Sequence, residues 1–279
     1  FHPGTKPAMS IAEVKSQKGR TMNKALVTTL VLAAQIGLSA QAANFSKACE
    51  AGGRSDINIA AVGDIIFHSR LKRAVNNYDF EKIWNGVTPL LKNSNIDLLY
   101  GNYEGAVSYQ GNEPTRKQMV FKYHPKTVSD LKRAGFDVLS TANNHSLDAG
   151  VDGVYATVKE MRANGVGFTG TRTADQNAGS ANTWATVQSV NGKSVAFLGC
   201  TEETNGIRDR KKLVLDCNSN SVTAFVSQLA RSYDAVIVTP HWGQEGTRRL
   251  NSQQVKMANS WARAGAVAII WSRRPQGHD

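Results

Sequence analysis

Residues 136–163 read FDVLSTANNHSLDAGVDGVYATVKEMRA, and the fold turns on how that stretch divides. Residues 136–139 form a short apolar run with branched content, which suits a buried strand, and residues 154–163 carry apolar side chains at helical spacing. Between them lies the polar segment STANNHSLDAG, residues 140–150. Asn143, Asn144 and His145 therefore sit where a strand delivers its last residues into a loop. Each needs several hydrogen-bond partners if buried, so packing alone does not account for them. Open α/β sheets place ligands outside the carboxyl ends of their strands, which makes this segment a candidate site. Asn and His are also ordinary turn and cap residues, and that alternative has to be weighed against the rest of the chain.

From residue 56 onward strand-like and helix-like runs alternate. Residues 57–62, 96–100, 235–239 and 266–270 read as short strands, and residues 65–75, 80–91, 127–134, 222–230 and 253–264 have helical spacing. Residues 183–190 and 194–198 read as two strands joined through Asn191-Gly192, a two-residue hairpin signal. The pattern implies βαβ units with one antiparallel piece, and a single α/β domain over residues 56–279 fits the length.

The strand ends carry the chemistry. The first ends in Gly63-Asp64, the second runs into Asn102-Tyr103-Glu104-Gly105, the third into Asn143-Asn144-His145, and a later one into His241-Trp242-Gly243-Gln244-Glu245. Each alone has an ordinary reading: Asp64 as a helix N-cap, Glu104 as a solvated loop charge, His241 as a core histidine beside Trp242. Together they place carboxylate, amide and imidazole groups at one end of one sheet. That mixed oxygen and nitrogen set suits a divalent cation such as Mn²⁺, Zn²⁺ or Fe²⁺. Asp148 could orient the His145 ring or cap the following helix, with the cap the better fit to its position.

The N-terminus has a different character. Met22-Asn23-Lys24, an apolar run over residues 25–38 and Ala40-Gln41-Ala42 make a secretory signal peptide over residues 22–42, with a retained membrane anchor as the alternative. Residues 1–21 read as translated leader and residues 43–55 as linker. The protein is expected to be secreted or periplasmic. The whole chain has 33 Lys and Arg against 22 Asp and Glu. Setting aside the first 42 residues leaves 28 and 21, a charge of +7, which attracts polyanions without naming one. The basic residues are scattered, with loose clusters at 122–132 and 208–212. Of three cysteines, Cys200 and Cys217 would close the polar loop between them in an oxidising compartment, leaving Cys49 as the odd thiol; connectivity is not deducible from sequence alone.

GDI at residue 63, NYEG at 102, TANNHSLDAG at 141 and HWGQEG at 241, in that order, resemble the CapA family, the poly-gamma-glutamate capsule synthesis proteins, which are similar to calcineurin-like metallophosphoesterases. The resemblance implies a four-layer α/β/β/α sandwich. It also implies a metal site with Asp64 and Glu104 as carboxylates, Asn144 as an amide ligand and His241 as an imidazole ligand, with His145 as the acid near the leaving group. Asn102, Asn143, Asp148 and Glu245 would support them. Two departures stand out. Asp64-Ile65-Ile66 replaces the Asp-x-His of general metallophosphoesterases, with His68 four residues past Asp64. Beyond residue 270 the expected Gly-x-His-Pro-His-like motif is replaced by Trp271-Ser272-Arg273-Arg274-Pro275, which reads as an incomplete C-terminus. An arginine cannot stand in for the missing histidine, since it has no acceptor.

Two functions follow from the resemblance. One is a metal-dependent phosphoesterase-like hydrolase acting in assembly of an anionic surface polymer such as poly-gamma-glutamate. The other is a non-catalytic polymer-binding subunit of a membrane synthesis or export complex. Nucleic acid is not an expected partner, because the chain carries no nucleic-acid-binding motif and secretion argues against it.

Overall fold

Three parallel strand pairings decide the first half of the molecule. β1 (Ile59–Ile65) lies beside β2 (Leu98–Tyr103), which lies beside β5 (Val138–Ser140), and β6 (Gly167–Thr169) completes the sheet in the order β1-β2-β5-β6. A computed structural model of the chain describes residues 57–67, 71, 83–93, 95–109, 119–244, 247 and 249–272. The expected leader, signal peptide and linker, Cys49, His68, Glu245 and the tail from Arg273 onward lie outside the described residues.

The connections supply the outer layer. α1 (Thr88–Asn93) precedes β2, α2 (Lys126–Ala134) leads to β5, and α3 (Gly150–Ala163) leads to β6. A two-stranded ribbon, β3 (Ala106–Val107) with β4 (Lys122–Tyr123), lies between β2 and α2. Gly135, at φ 106°, ends α2: its N–H bonds Lys132 O and the next N–H bonds Leu131 O, satisfying carbonyls the helix leaves open.

The second half repeats the arrangement. A helical turn, α4 (Ala181–Trp184), leads into β7 (Ala185–Val190), which turns back into β8 (Lys193–Thr201). Asn191 at φ 50° and Gly192 at φ 76° make the tight reversal that the Asn-Gly pair predicts. α5 (Ser221–Ser232), β9 (Ala235–His241), α6 (Ser252–Ala264) and β10 (Ala268–Ile269) follow, and the sheet order is β10-β9-β8-β7 with only β7 antiparallel. Asn251 and Gln254 cap α6 reciprocally at 2.8 Å each way.

Strand alternation turns the two sheets into a sandwich. Leu98, Tyr100 and Val138 of the first sheet meet Val195, Phe197 and Ile237 of the second in one buried cluster, with Tyr100 stacked on Phe197 at 5.9 Å. The alternate residues face outward: Leu99, Tyr103 and Leu139 pack with Val128, Leu131 and Met161, while Ala196, Leu198 and Val238 pack with Val222, Phe225 and Trp261. This is the expected four-layer α/β/β/α sandwich.

Several expectations are corrected. The helix read over 65–75 starts too early, because Ile65 belongs to β1 and its backbone pairs with β2. The helix read over 80–91 is interrupted by a turn at 85–87, where Asn85-Gly86 are poor helix formers. Thr183 and Trp184 lie in α4 rather than in the strand, an arrangement that buries the Trp184 indole and lets its N–H donate to Ala178 O at 2.9 Å.

Gly170, just past β6, lies against the backbone of Gly199 in β8. Gly170 has φ 88°, and a Cβ on it would lie 2.4 Å from Ala142 Cβ and 2.9 Å from Gly199 O. Gly170→Ala is expected to cost about 2 kcal/mol or more of stability, measured as a lower urea midpoint, because backbone cannot yield as a side-chain end can.

Candidate functional site

Asp64, Asn102 and Ser140 stand opposite one another in register across three strands. Asp64 lies within β1 and so does not cap a helix; its Oδ1 accepts from Asn102 Nδ2 at 2.8 Å. Asn102 is fully buried, and its Oδ1 accepts in turn from Asn143 Nδ2 at 3.2 Å. Glu104, two residues past Asn102, is also fully buried, so it is not a solvated loop charge. Its carbonyl accepts from the Tyr123 hydroxyl. Burial, then the neighbouring Tyr103, push the Tyr123 phenol well above its usual range, which keeps it a donor. Gly105 follows at φ 143°, where a Cβ would lie 2.4 Å from the Tyr123 ring.

The loop after β5 is held by its own polar groups. Ser146 Oγ donates to Thr141 O and accepts from Asn143 N at 2.8 Å, while Asn143 Nδ2 also donates to Tyr103 O at 2.8 Å and Asn143 Oδ1 accepts from His145 N. Asn143 thus spends its hydrogen bonds on shaping the loop. α3 starts without a side-chain cap, so Asp148 does not play the capping role expected of it. Its carboxylate accepts from Phe121 N and pairs with His145 Nδ1 at 2.8 Å. The His145 ring stacks on Phe121 at 4.0 Å between centroids, and its Nε2 lies 3.8 Å from Glu104 Oε1. Asp148 therefore orients the ring and leaves Nε2 as the nitrogen on the Glu104 side.

His241 arrives from the other sheet, at the end of β9. Its Nε2 lies 2.9 Å from Asn144 Oδ1, and its Nδ1 lies 3.2 Å from Asn102 Nδ2 and 2.8 Å from Ser272 Oγ. An amide N–H can only donate, so Nδ1 accepts from Asn102 and Nε2–H donates to Asn144. One ligand atom each from Asp64, Glu104 and His241 lie within 4.8 Å of one another. The Asn144 oxygen joins this group through His241. The site thus spans the mouth between two facing sheets, which corrects the expectation of one end of one sheet. With two carboxylates, an amide oxygen, an imidazole and no thiolate, the residues present fit a hard or borderline divalent cation.

Residues 58–275 match the family described as bacterial capsule synthesis protein PGA_cap. The chain belongs to that family. Similar proteins include the PGA biosynthesis protein CapA of Bacillus subtilis (strain 168), 29% identical over 218 residues that make up 77% of this chain and 56% of the relative. The capsule biosynthesis protein CapA of Bacillus anthracis is 29% identical over 224 residues, 77% of this chain and 53% of the relative. This PGA_cap chain spans just over half the length of both. A solved structure of a novel phosphatase from Mycoplasma pneumoniae aligns with a TM-score of 0.42 at 16% identity, covering 75% of this chain and 59% of that one.

Sequence reading of this PGA_cap chain missed three contacts of the site: Phe121 under the His145 ring, Ser272 on His241, and Asn205, whose Oδ1 accepts from Asn144 Nδ2 at 3.1 Å. Asn205-Gly206 is legible as a turn, but nothing local ties it to a loop sixty residues away. The metal reading predicts that Glu104→Ala and His241→Ala each weaken divalent-cation affinity by about 100-fold or more, while His145→Ala retains it, measured by titration calorimetry with Mn²⁺ and Zn²⁺.

Proposed function

We propose that the chain carries a metal-dependent, phosphoesterase-like hydrolase centre that works in assembly of an anionic surface polymer such as poly-gamma-glutamate. The observation that carries this reading is the convergence of Asp64, Glu104, Asn144 and His241 beside an imidazole, His145, already oriented by a carboxylate. A divalent cation held there, of Mn, Zn or Fe type, would supply positive charge for a phosphate oxygen and make a water more acidic.

The chain's own groups divide the remaining work. Asp64 and Glu104 supply the negative charge that retains a cation, and Asn102 holds the Asp64 carboxylate in place. Asn144 and His241 complete the donor set. Asp148 keeps Nδ1 of His145 engaged, so that Nε2 is the atom that carries a proton to the leaving oxygen. Phe121 covers one face of that ring and excludes water from it.

The relatives' names support an anionic polymer as the partner, and a membrane synthesis complex is the assembly in which such a subunit would work. A secreted or periplasmic location is part of the same proposal. The Cys200–Cys217 disulfide supports it, because such bonds persist in oxidising compartments. Among the described residues no helix is long and apolar enough to cross a membrane.

Turnover of p-nitrophenyl phosphate and its diester by the metal-loaded chain tests the reading. The wild-type chain is expected to hydrolyse at least one, and His145→Ala to lower kcat by about 10²- to 10⁴-fold with metal retained. A metal-loaded chain with no phosphoester turnover contradicts the hydrolase reading and leaves the non-catalytic polymer-binding role.

A further inference from the structure

The connection between β8 and α5 is long for a strand-to-helix link, yet it is fixed at many points. The Cys200–Cys217 disulfide joins its two arms, and Thr201 and Cys217 exchange backbone bonds with the opposite arm, Thr201 N to Leu215 O at 2.9 Å and Cys217 N to Thr201 O at 2.8 Å. The buried Arg172 guanidinium donates to the carbonyls of Lys211 and Lys212 at 3.0 and 2.8 Å. Leu213 and Val214 are buried in one cluster with Ala142 and Leu147, on the loop that carries His145, and with Val154 of α3.

So anchored, the connection presents one side chain to the site. Asn205 adopts φ 49° and Gly206 φ 72°, a left-handed pair that Asn and Gly tolerate better than other residues. Asn205 Nδ2 lies 3.3 and 3.4 Å from the two ring nitrogens of His145. An atom nearly equidistant from both nitrogens at that range lies over the ring, since in its plane it would overlap Cε1. Phe121 covers one face, so the Asn205 amide covers the other. Asn205 is itself exposed and stands between His145 and solvent.

The charges of the same connection are sorted. Three of its four carboxylates are turned to backbone amides, Glu203 being the fourth: Glu202 accepts from Gly243 N, Asp209 from Leu213 N and Val214 N, and Asp216 from Asn218 N. Its cations, Arg208, Arg210, Lys211 and Lys212, are exposed. Arg208 is three residues from Asn205, a reach of at most about 11 Å. Lys211 Nζ lies over the Tyr155 ring of α3, the helix that starts at the site.

We propose that this disulfide-stapled connection is the substrate-recognition element of the site: Asn205 positions the reacting group against His145, and the cations from Arg208 to Lys212 hold further acidic groups of a polyanionic chain. The inference rests on reading the site as a centre for an anionic polymer. It explains why exposed cations and a site-facing amide share one rigid loop.

Two binding measurements on the full metal-loaded chain test it without needing turnover. At saturating Mn²⁺, inorganic phosphate is expected to bind the wild-type chain and to bind Asn205→Ala about tenfold more weakly, with melting temperature unchanged, as befits loss of one substrate hydrogen bond. A fluorescein-labelled poly-glutamate chain is expected to bind in a salt-sensitive way and to lose about tenfold or more in the Arg210→Glu/Lys211→Glu variant. Lys256→Glu/Arg263→Glu, exposed on α6, is the control and should bind as wild type. Equal phosphate affinity in Asn205→Ala, absence of phosphate binding, or equal polymer affinity in the 210/211 variant and the control overturns the proposal. Absent phosphoester turnover with these binding losses intact would fell the hydrolase reading alone.

Discussion

Two carboxylates and an imidazole brought within 4.8 Å of one another, one of the carboxylates wholly out of solvent, set the terms for everything around them. At that spacing, and with an effective dielectric near 20, two carboxylate charges repel by about 3.5 kcal/mol. Such a group needs compensating positive charge and a frame stiff enough to keep it together. The frame is the pair of facing sheets. Parallel register sets Asp64 beside Asn102 and then Ser140, and the close approach at Gly170 and Gly199 brings the second sheet near enough for His241 to reach Asn102 and Asn144.

The polar residues near the centre divide into those that face it and those that hold it. Asn143 and Ser146 are consumed by the loop's own backbone, and Tyr123 spends its hydroxyl on the Glu104 carbonyl. Buried amides and hydroxyls satisfied in this way stiffen a site, since any displacement would strand a donor or acceptor away from water. His145 is the contrast. Its Nδ1 is engaged by Asp148 and its faces by Phe121 and Asn205, while Nε2 points toward the Glu104 side, the nitrogen that the proposed proton transfer would use.

Much of this was legible before the structure. The Asn191-Gly192 hairpin, the strand-to-loop position of Asn144 and His145, and the delivery of Asp64, Glu104 and His241 at strand ends follow from short-range pattern and strand polarity. The pattern did not say that the fourth contributor sits on a second sheet, because periodicity within a strand carries no information about which sheet it joins. β3, β4 and β6 are too short to show a period. Asp148 looked like a cap from its place before α3, and only the approach of Phe121 from a distant segment reveals what its carboxylate does. Asn205 reaches the site through a disulfide and a buried arginine, contacts that no local reading contains.

The claim beneath all of this is that acidic, amide and imidazole groups from both sheets share one cation. Anomalous diffraction from crystals of the chain grown with Mn²⁺ tests it most directly. The account predicts a peak bonded by Asp64, Glu104 and His241 at oxygen and nitrogen distances of about 2.0 to 2.3 Å. A peak elsewhere, or none between these three side chains at saturating Mn²⁺, would contradict it.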